Sequence, residues 1–166
     1  IEPDLMTYGK IIGGGMPVGA FAGRSEIFKK LAPDGPVYQA GTLSGNPVAM
    51  AAGLAGLKLL TDDMYKHMET LAAFIVNTIN QTGLSWKALH IGSIFWFYKS
   101  EHAPKKAEEI SRDSMKQYAL LHRHCLEKGL YLAPSGYEVG FISSPMKKDE
   151  IESFVKVVVA FLSSLK

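Results

Sequence analysis

Lys10 is the residue whose type and neighbours most directly indicate covalent chemistry. It follows Gly9 and precedes Ile11, Ile12 and three consecutive glycines. Small and apolar neighbours disfavour the charged form of a lysine, so its amine becomes available to attack a carbonyl. The glycines would leave room for a flat, substituted ring, which suits imine chemistry with pyridoxal phosphate. The alternative is an ordinary lysine whose amine extends from a loop into water.

Residues 41–46 form the second candidate, a segment that could bind an anion. It places the hydroxyls of Thr42 and Ser44 and flexible backbone N–H groups just before a predicted helix. Hydroxyls and helix N-termini are common donors to phosphate oxygens. A capped turn is the alternative, because Asn46 is a good N-cap and Pro47 suits the first helical position.

Glu138 is the third candidate. This carboxylate lies between Tyr137 and the apolar residues 139–141. Acidic groups in such surroundings are candidates for a functional site. The alternative is an exposed carboxylate at the end of a strand, and the local sequence leaves both interpretations open.

The histidines, the cysteine and the glycine run at 13–15 indicate no further site. His122 and His124 are two residues apart on a predicted helix and point to different faces, and the sequence has no metal-ligand spacing. We therefore expect no metal. The glycine run matches neither the dinucleotide fingerprint nor the P-loop, which argues against nucleotide binding there. Cys125, on an apolar helix face, is expected to be a small buried hydrophobic residue.

Helices and short strands must position these groups. Glycine is concentrated at the front of the chain, and the helical patterns lie mostly behind it. A boundary near residue 61 separates residues 1–61 from residues 62–166, in which helices and strands alternate. Hydrophobic periodicity and turn residues predict helices over 25–31, 47–60, 64–79, 115–126 and 151–165, and strands over 86–91, 94–98, 130–133 and 139–142. The second helix is apolar nearly all round over 48–60, as expected for a helix buried inside a larger body.

The composition is close to that of an average globular protein. Among 166 residues, 18 are Lys or Arg and 16 are Asp or Glu, so the formal charge is only +2. This balance gives no reason to expect binding to nucleic acid or to a membrane, and no apolar run is long enough for a spanning helix. The single cysteine excludes an internal disulfide. The opening residues 1–4 form neither an initiator Met nor a signal peptide, so we expect the chain to start within a longer protein.

Three strings of residues, 9–20, 35–47 and 131–135, resemble the glutamate-1-semialdehyde 2,1-aminomutases. The resemblance spans nearly the whole chain. That family belongs to the class III aminotransferase-like, fold type I pyridoxal-phosphate enzymes. It implies an α/β fold that is the C-terminal part of such an enzyme: residues 1–61 end the large cofactor-binding domain and residues 62–166 form the small C-terminal domain.

The resemblance also implies a role for each candidate residue. Lys10 would be the Schiff-base lysine for pyridoxal or pyridoxamine phosphate. Thr42 would be a phosphate ligand that reaches the cofactor of the other subunit of a homodimer. Glu138 matches a family acid that lies near the substrate amino groups. The string at 39–47 distinguishes the aminomutases from ordinary class III transaminases.

The implied reaction converts glutamate-1-semialdehyde to 5-aminolevulinate in tetrapyrrole biosynthesis, by way of a diamine. Lys10 would move protons as both acid and base. The alternatives are a class III aminotransferase that acts on another amino substrate, and an inactive fragment of such an enzyme. We expect this segment alone to be inactive, and the expected location is the cytoplasm, or a plastid in a plant or alga.

Overall fold

A computed structural model describes residues 1–165, and the chain forms two compact units, Ile1–Thr61 and a second that begins at Asp62. In the first unit, β1 (Leu5–Tyr8) and β2 (Ala20–Gly23) form an antiparallel pair, and a 3-10 turn, Lys10–Gly13, follows β1. The sequence analysis missed both strands. Each strand has only four residues, and neither segment alternates apolar and polar residues, so the pattern that marks a half-buried strand is missing. A single helical turn, α1 (Ser25–Phe28), follows β2.

α2 (Pro47–Lys58) begins at the predicted residue. Asn46 Oδ1 accepts hydrogen bonds from the backbone N–H groups of Val48 at 3.0 Å and Ala49 at 3.1 Å, so the predicted N-cap is confirmed. Within this chain the buried residues of the helix are Ala49 and Gly53, where the glycine-rich turn after β1 packs against it. The expectation that the helix is buried inside a larger body stays a prediction.

The second unit is a three-stranded antiparallel sheet with three helices around one core. The strand order is β3–β4–β5, and a tight turn through Gly92 joins the first two strands. The core contains Ile75, Phe97, Leu121 and Val158, which come from four different elements. No helix among residues 1–165 is long and apolar enough to span a bilayer. The elements are α3 (Asp62–Gln81), β3 (Trp86–Ile91), β4 (Ile94–Lys99), α4 (Arg112–Glu127), β5 (Gly140–Phe141) and α5 (Lys148–Ser164).

The helices and the β3–β4 hairpin agree with the predicted periodicities, but the strand predicted at 130–133 is wrong. Leu130 N–H instead donates to the Cys125 carbonyl at 2.9 Å and closes the end of α4, with Gly129 in the left-handed region at φ 76°. The Ala133 carbonyl accepts the Tyr118 hydroxyl at 2.9 Å. These backbone groups therefore bond to a helix end and a side chain rather than to a neighbouring strand. The strand predicted at 139–142 is shorter than expected and is β5.

A side chain of α3 closes the free edge of β3. Asn80 Nδ2 donates to the Ala88 carbonyl at 3.0 Å, and Ala88 N–H donates to Asn80 Oδ1 at 2.9 Å. The amide thus pairs with both backbone groups of an edge residue, as a neighbouring strand would. An edge whose central residue is paired in this way is less able to pair with another chain.

Candidate functional site

Lys10 has an unusual backbone conformation. It is the one non-glycine residue among residues 1–165 with a positive φ, 54°, and it opens the 3-10 turn Lys10–Gly13. The left-handed region costs a residue with a Cβ about 1–2 kcal/mol. Such strain persists only where the surrounding structure enforces it, and it is concentrated at functional sites. The strain is a reason, independent of the sequence, to treat Lys10 as a candidate functional residue.

α2 packs closely against the turn that Lys10 opens. A Cβ on Gly53 would lie 2.2 Å from the Ile12 carbonyl oxygen, and a Cβ on Gly14 would lie 2.1 Å from the Ala52 carbonyl oxygen. Real Cβ atoms do not approach backbone so closely. These glycines therefore let the turn and the helix pack backbone against backbone.

The glycines around Lys10 differ in the space beside them. The sequence analysis assigned the glycine run to space for a ring. The space beside Gly14 is filled by α2, whereas a Cβ on Gly15 would meet no atom within 4 Å. A Cβ on Gly9, directly before Lys10, would also meet no atom within 4 Å. Open space beside the turn therefore lies at Gly9 and Gly15, and the space for a ring stays a prediction.

The Lys10 side chain is exposed. The described residues of this chain therefore do not supply the apolar surroundings that the sequence predicts for its amine. An exposed amine on a strained turn is accessible to a carbonyl compound.

Residues 41–46 form a tight turn that leads into α2. Ser44 N–H donates to the Gly41 carbonyl at 2.9 Å, and Asn46 N–H donates to the Leu43 carbonyl at 3.1 Å. Since Asn46 already occupies the first two helical N–H groups, the helix N-terminus is not free to bind an anion. The Thr42 side chain is exposed, and its hydroxyl has no hydrogen-bond partner within residues 1–165. The Ser44 side chain is exposed as well, and its hydroxyl also has no partner among residues 1–165. The hydroxyls of Thr42 and Ser44 are therefore both available donors of this segment.

The first unit also contains a cavity of about 670 Å³. Its walls come from residues 8–20 and 41–45 and from the exposed apolar face of α2, with Leu54 and Leu57 among them. Neither Lys10 nor Thr42 is among its lining residues, although Gly41 and Leu43, on either side of Thr42, are. The cavity is mainly apolar, so we do not assign a phosphate group to it.

Glu138 lies in the second unit, in the loop before β5. Its carboxylate is exposed, and its N–H donates to the Ser135 carbonyl at 3.0 Å. It lines a cavity of about 830 Å³ with largely apolar walls that include Leu132 and Phe154. Both sequence interpretations describe part of this arrangement, since the carboxylate is exposed two residues before a strand and also borders an apolar cavity.

Two buried or half-buried aromatic side chains hold the loop that carries Glu138. Trp96 Nε1 donates to the Gly136 carbonyl at 2.7 Å, and the Tyr118 hydroxyl donates to the Ala133 carbonyl at 2.9 Å. The sequence analysis missed both contacts. The apolar period placed Tyr118 on a buried helix face, but no local pattern indicates which distant carbonyl an aromatic N–H or O–H reaches.

Burial keeps two ionisable groups near this loop neutral. Burial, and then the nearby Cys125 and Glu138, raise the pKa of Tyr118 from 10.0 to about 12. Burial raises the pKa of the Cys125 thiol from 9.0 to about 11. Cys125 is fully buried in the core, so its interpretation as a small hydrophobic residue is confirmed.

Residues 1–165 contain no cluster of three or more His, Cys, Asp or Glu side chains that could hold a metal ion.

Comparison with known proteins gives these residues a context. The chain is 46% identical to a glutamate-1-semialdehyde 2,1-aminomutase from Akkermansia muciniphila, over 99% of this chain and 40% of that relative. The chain thus spans about two fifths of the length of the curated relatives it matches.

Solved structures match over the same part of their length. An omega-transaminase from Sphaerobacter thermophilus has a TM-score of 0.84 and 29% identity, covering 97% of this chain and 38% of that one. A glutamate-1-semialdehyde aminomutase from Pseudomonas aeruginosa, in complex with PMP, has a TM-score of 0.81 and 26% identity, covering 100% and 40%. The predicted α/β fold is therefore confirmed. The class-III aminotransferase family profile matches residues 1–157, and the chain belongs to that family.

Proposed function

We propose that this chain is part of a pyridoxal-phosphate-dependent aminomutase that converts glutamate-1-semialdehyde to 5-aminolevulinate. The observation that carries the proposal is the 46% identity, over 99% of the chain, to an enzyme of that name. Residues 1–61 would end the large cofactor-binding domain, and residues 62–166 would form the small domain. The division of the structure after Thr61 supports these boundaries.

The residues present fit pyridoxal phosphate in the chemistry of their donor set. Lys10 offers an exposed amine with open space on the Gly9 side, which suits a carbonyl-bearing ring. Thr42 offers a hydroxyl without an internal partner, which suits a phosphate oxygen. We propose that Thr42 acts in trans, on the cofactor bound by the second copy of a homodimer.

The cofactor, when bound, supplies a carbonyl for the lysine amine and an electron sink for the bond that is broken. Lys10 holds it covalently and, once its amine is free, moves a proton to and from the reacting substrate carbon. Thr42 donates a hydrogen bond that fixes the phosphate. Glu138 accepts charge-assisted hydrogen bonds from a substrate ammonium group and retains the diamine between the two halves of the reaction.

A class III aminotransferase that uses a separate amino acceptor is the second candidate. The observation in its favour is structural, since the omega-transaminase structure gives a slightly higher TM-score and identity than the aminomutase structure. Both activities need the lysine, so Lys10 cannot distinguish them. A cytoplasmic location is part of the proposal, and the bacterial origin of the matched relatives supports it.

The test uses the intact polypeptide in its pyridoxamine form. We expect it to convert glutamate-1-semialdehyde to 5-aminolevulinate with no added amino acceptor, and diaminovalerate should appear transiently. Glu138→Gln keeps the shape of the side chain and removes its charge, so it should release more diamine per turnover. Product formation only when a separate amino donor or acceptor is supplied would favour the transaminase.

The site itself is tested by borohydride reduction. This treatment should fix the cofactor to Lys10 in the wild type, and Lys10→Ala should abolish the attachment. Lys29→Ala is the matched control, because Lys29 is also exposed and lies in the same unit but beyond β2. A reduced cofactor mapped to Lys29, Lys58 or another lysine would overturn the assignment of Lys10.

A further inference from the structure

Two adjacent residues of β4 hold both ends of the short segment that carries Glu138. At residue 136, the carbonyl accepts the indole N–H of Trp96 at 2.7 Å. At residue 140, the backbone pairs with Phe95 in the β4–β5 ladder. Glu138 lies midway between these two fixed points, so the position of its backbone depends on β4.

Both fixed points are also packed tightly. A Cβ on Gly136 would lie 2.7 Å from Met115 Sδ and 2.8 Å from Tyr118 Cγ, and a Cβ on Gly140 would lie 2.3 Å from Phe95 Cζ. Between them, Glu138 N–H bonds to the Ser135 carbonyl at 3.0 Å, and its carboxylate is exposed. The segment is therefore rigid at its ends and presents one charged group at its centre.

We propose that Trp96 is a positioning residue for the Glu138 carboxylate, acting through the hydrogen bond from its indole N–H to the Gly136 carbonyl. Without this bond, the ladder at residue 140 still fixes one end of the segment, while the other end keeps its packing against Met115 and Tyr118 but loses its hydrogen bond to β4. The backbone that carries the carboxylate would then be held less tightly. The functional consequence rests on the proposed role of Glu138 at the substrate amines.

The two tryptophans of the chain provide a matched pair of variants. Trp96 Nε1 is bonded, whereas Trp86 Nε1 is buried with no hydrogen-bond partner among the described residues. Trp96→Phe removes a bonded N–H, and Trp86→Phe removes an unbonded one from a side chain that is 2% exposed. Both lose aromatic volume, so both are expected to lower the thermal midpoint through packing. Only the first loses the bond that holds the segment.

The first measurement is amide hydrogen exchange over residues 135–139 in the intact polypeptide, and it does not depend on the reaction. Losing one hydrogen bond should raise exchange of this peptide about three- to tenfold in Trp96→Phe, with no comparable rise in Trp86→Phe. Exchange of this peptide that is unchanged in Trp96→Phe, or equally raised in both variants, overturns the inference.

The second measurement is the amount of diamine released per turnover. Trp96→Phe should raise it in the same direction as Glu138→Gln, by about two- to fivefold, while Trp86→Phe leaves it unchanged. The double variant should release no more than Glu138→Gln alone, because a positioning residue acts through the group that it positions. Additive effects would refute the positioning role. A wild type that forms no 5-aminolevulinate without an acceptor would refute the proposed function, and the exchange measurement would still decide whether Trp96 holds the segment.

Discussion

The backbone contact between Gly53 and Ile12 makes a prediction that links packing to chemistry. In Gly53→Ala, the new Cβ would lie 2.2 Å from the Ile12 carbonyl oxygen, where an ordinary contact begins at 3.4 Å. The atom in its way is backbone, so the turn or the helix must shift by about 1 Å. That shift acts two residues from Lys10, on the 3-10 turn that includes it.

Gly56→Ala is the matched control on the same helix. Its new Cβ would lie 3.2 Å from the Gly14 Cα, so a few tenths of an ångström are enough to relieve the contact. Both substitutions gain helix propensity of about 0.5–1 kcal/mol. Overpacking of about 1–3 kcal/mol should exceed this gain at Gly53 but not at Gly56. We therefore expect a lower free energy of unfolding for Gly53→Ala and a change within about 1 kcal/mol for Gly56→Ala.

The assay combines the thermal midpoint of the intact polypeptide with the rate of 5-aminolevulinate formation at saturating cofactor. A 1 Å displacement of a reacting group can lower a rate about a hundredfold. Gly53→Ala should therefore lose activity even at temperatures where it is fully folded, whereas Gly56→Ala should retain it. Equal stability and equal rates in the two variants would refute the view that α2 positions Lys10 through this contact.

Three further predictions concern the hydroxyl, the sheet edge and the buried ionisable groups. Thr42→Val keeps the shape of the side chain but removes a donor to a charged phosphate, so it should weaken cofactor affinity ten- to hundredfold, or about 1.5–3 kcal/mol. Ser44→Ala is the control. Unchanged cofactor retention in the Thr42→Val dimer would mean that the segment is only a capped turn. Asn80→Ala should lower the free energy of unfolding by about 1–3 kcal/mol, because it leaves both backbone groups of Ala88 without partners. The exposed Asn77 on the same helix is the control, and an equal loss in Asn77→Ala would contradict the prediction. In the unfolded chain Cys125 loses its proton near pH 9 and Tyr118 near pH 10, whereas in the folded chain they lose it near pH 11 and pH 12. The free energy of unfolding should therefore have its full value below pH 9 and fall as the pH rises through this range. Chemical unfolding measured from pH 8 to 11 tests this sign, and a flat profile that Tyr118→Phe does not alter would be evidence against it.

The elements that follow from local rules could be predicted from the sequence. Asn46 and Pro47 mark the start of α2 because capping and proline preference act within one turn of the chain. The hairpin β3–β4 is apparent because β-branched and aromatic residues flank a glycine turn. Cys125 is correctly interpreted because a period of 3.6 residues identifies the buried face of a helix.

The sequence by itself selected Lys10, Thr42 and Glu138 as candidates, by residue type and by resemblance to a family. It did not indicate the contacts that position them. The turn that Lys10 opens packs against a helix that begins 37 residues later, whose glycines admit the turn. The segment of Glu138 depends on a tryptophan 40 residues before the carbonyl that it binds. These are contacts between residues far apart in the chain, and local propensity and periodicity carry no information about them, so only the tertiary structure decides them.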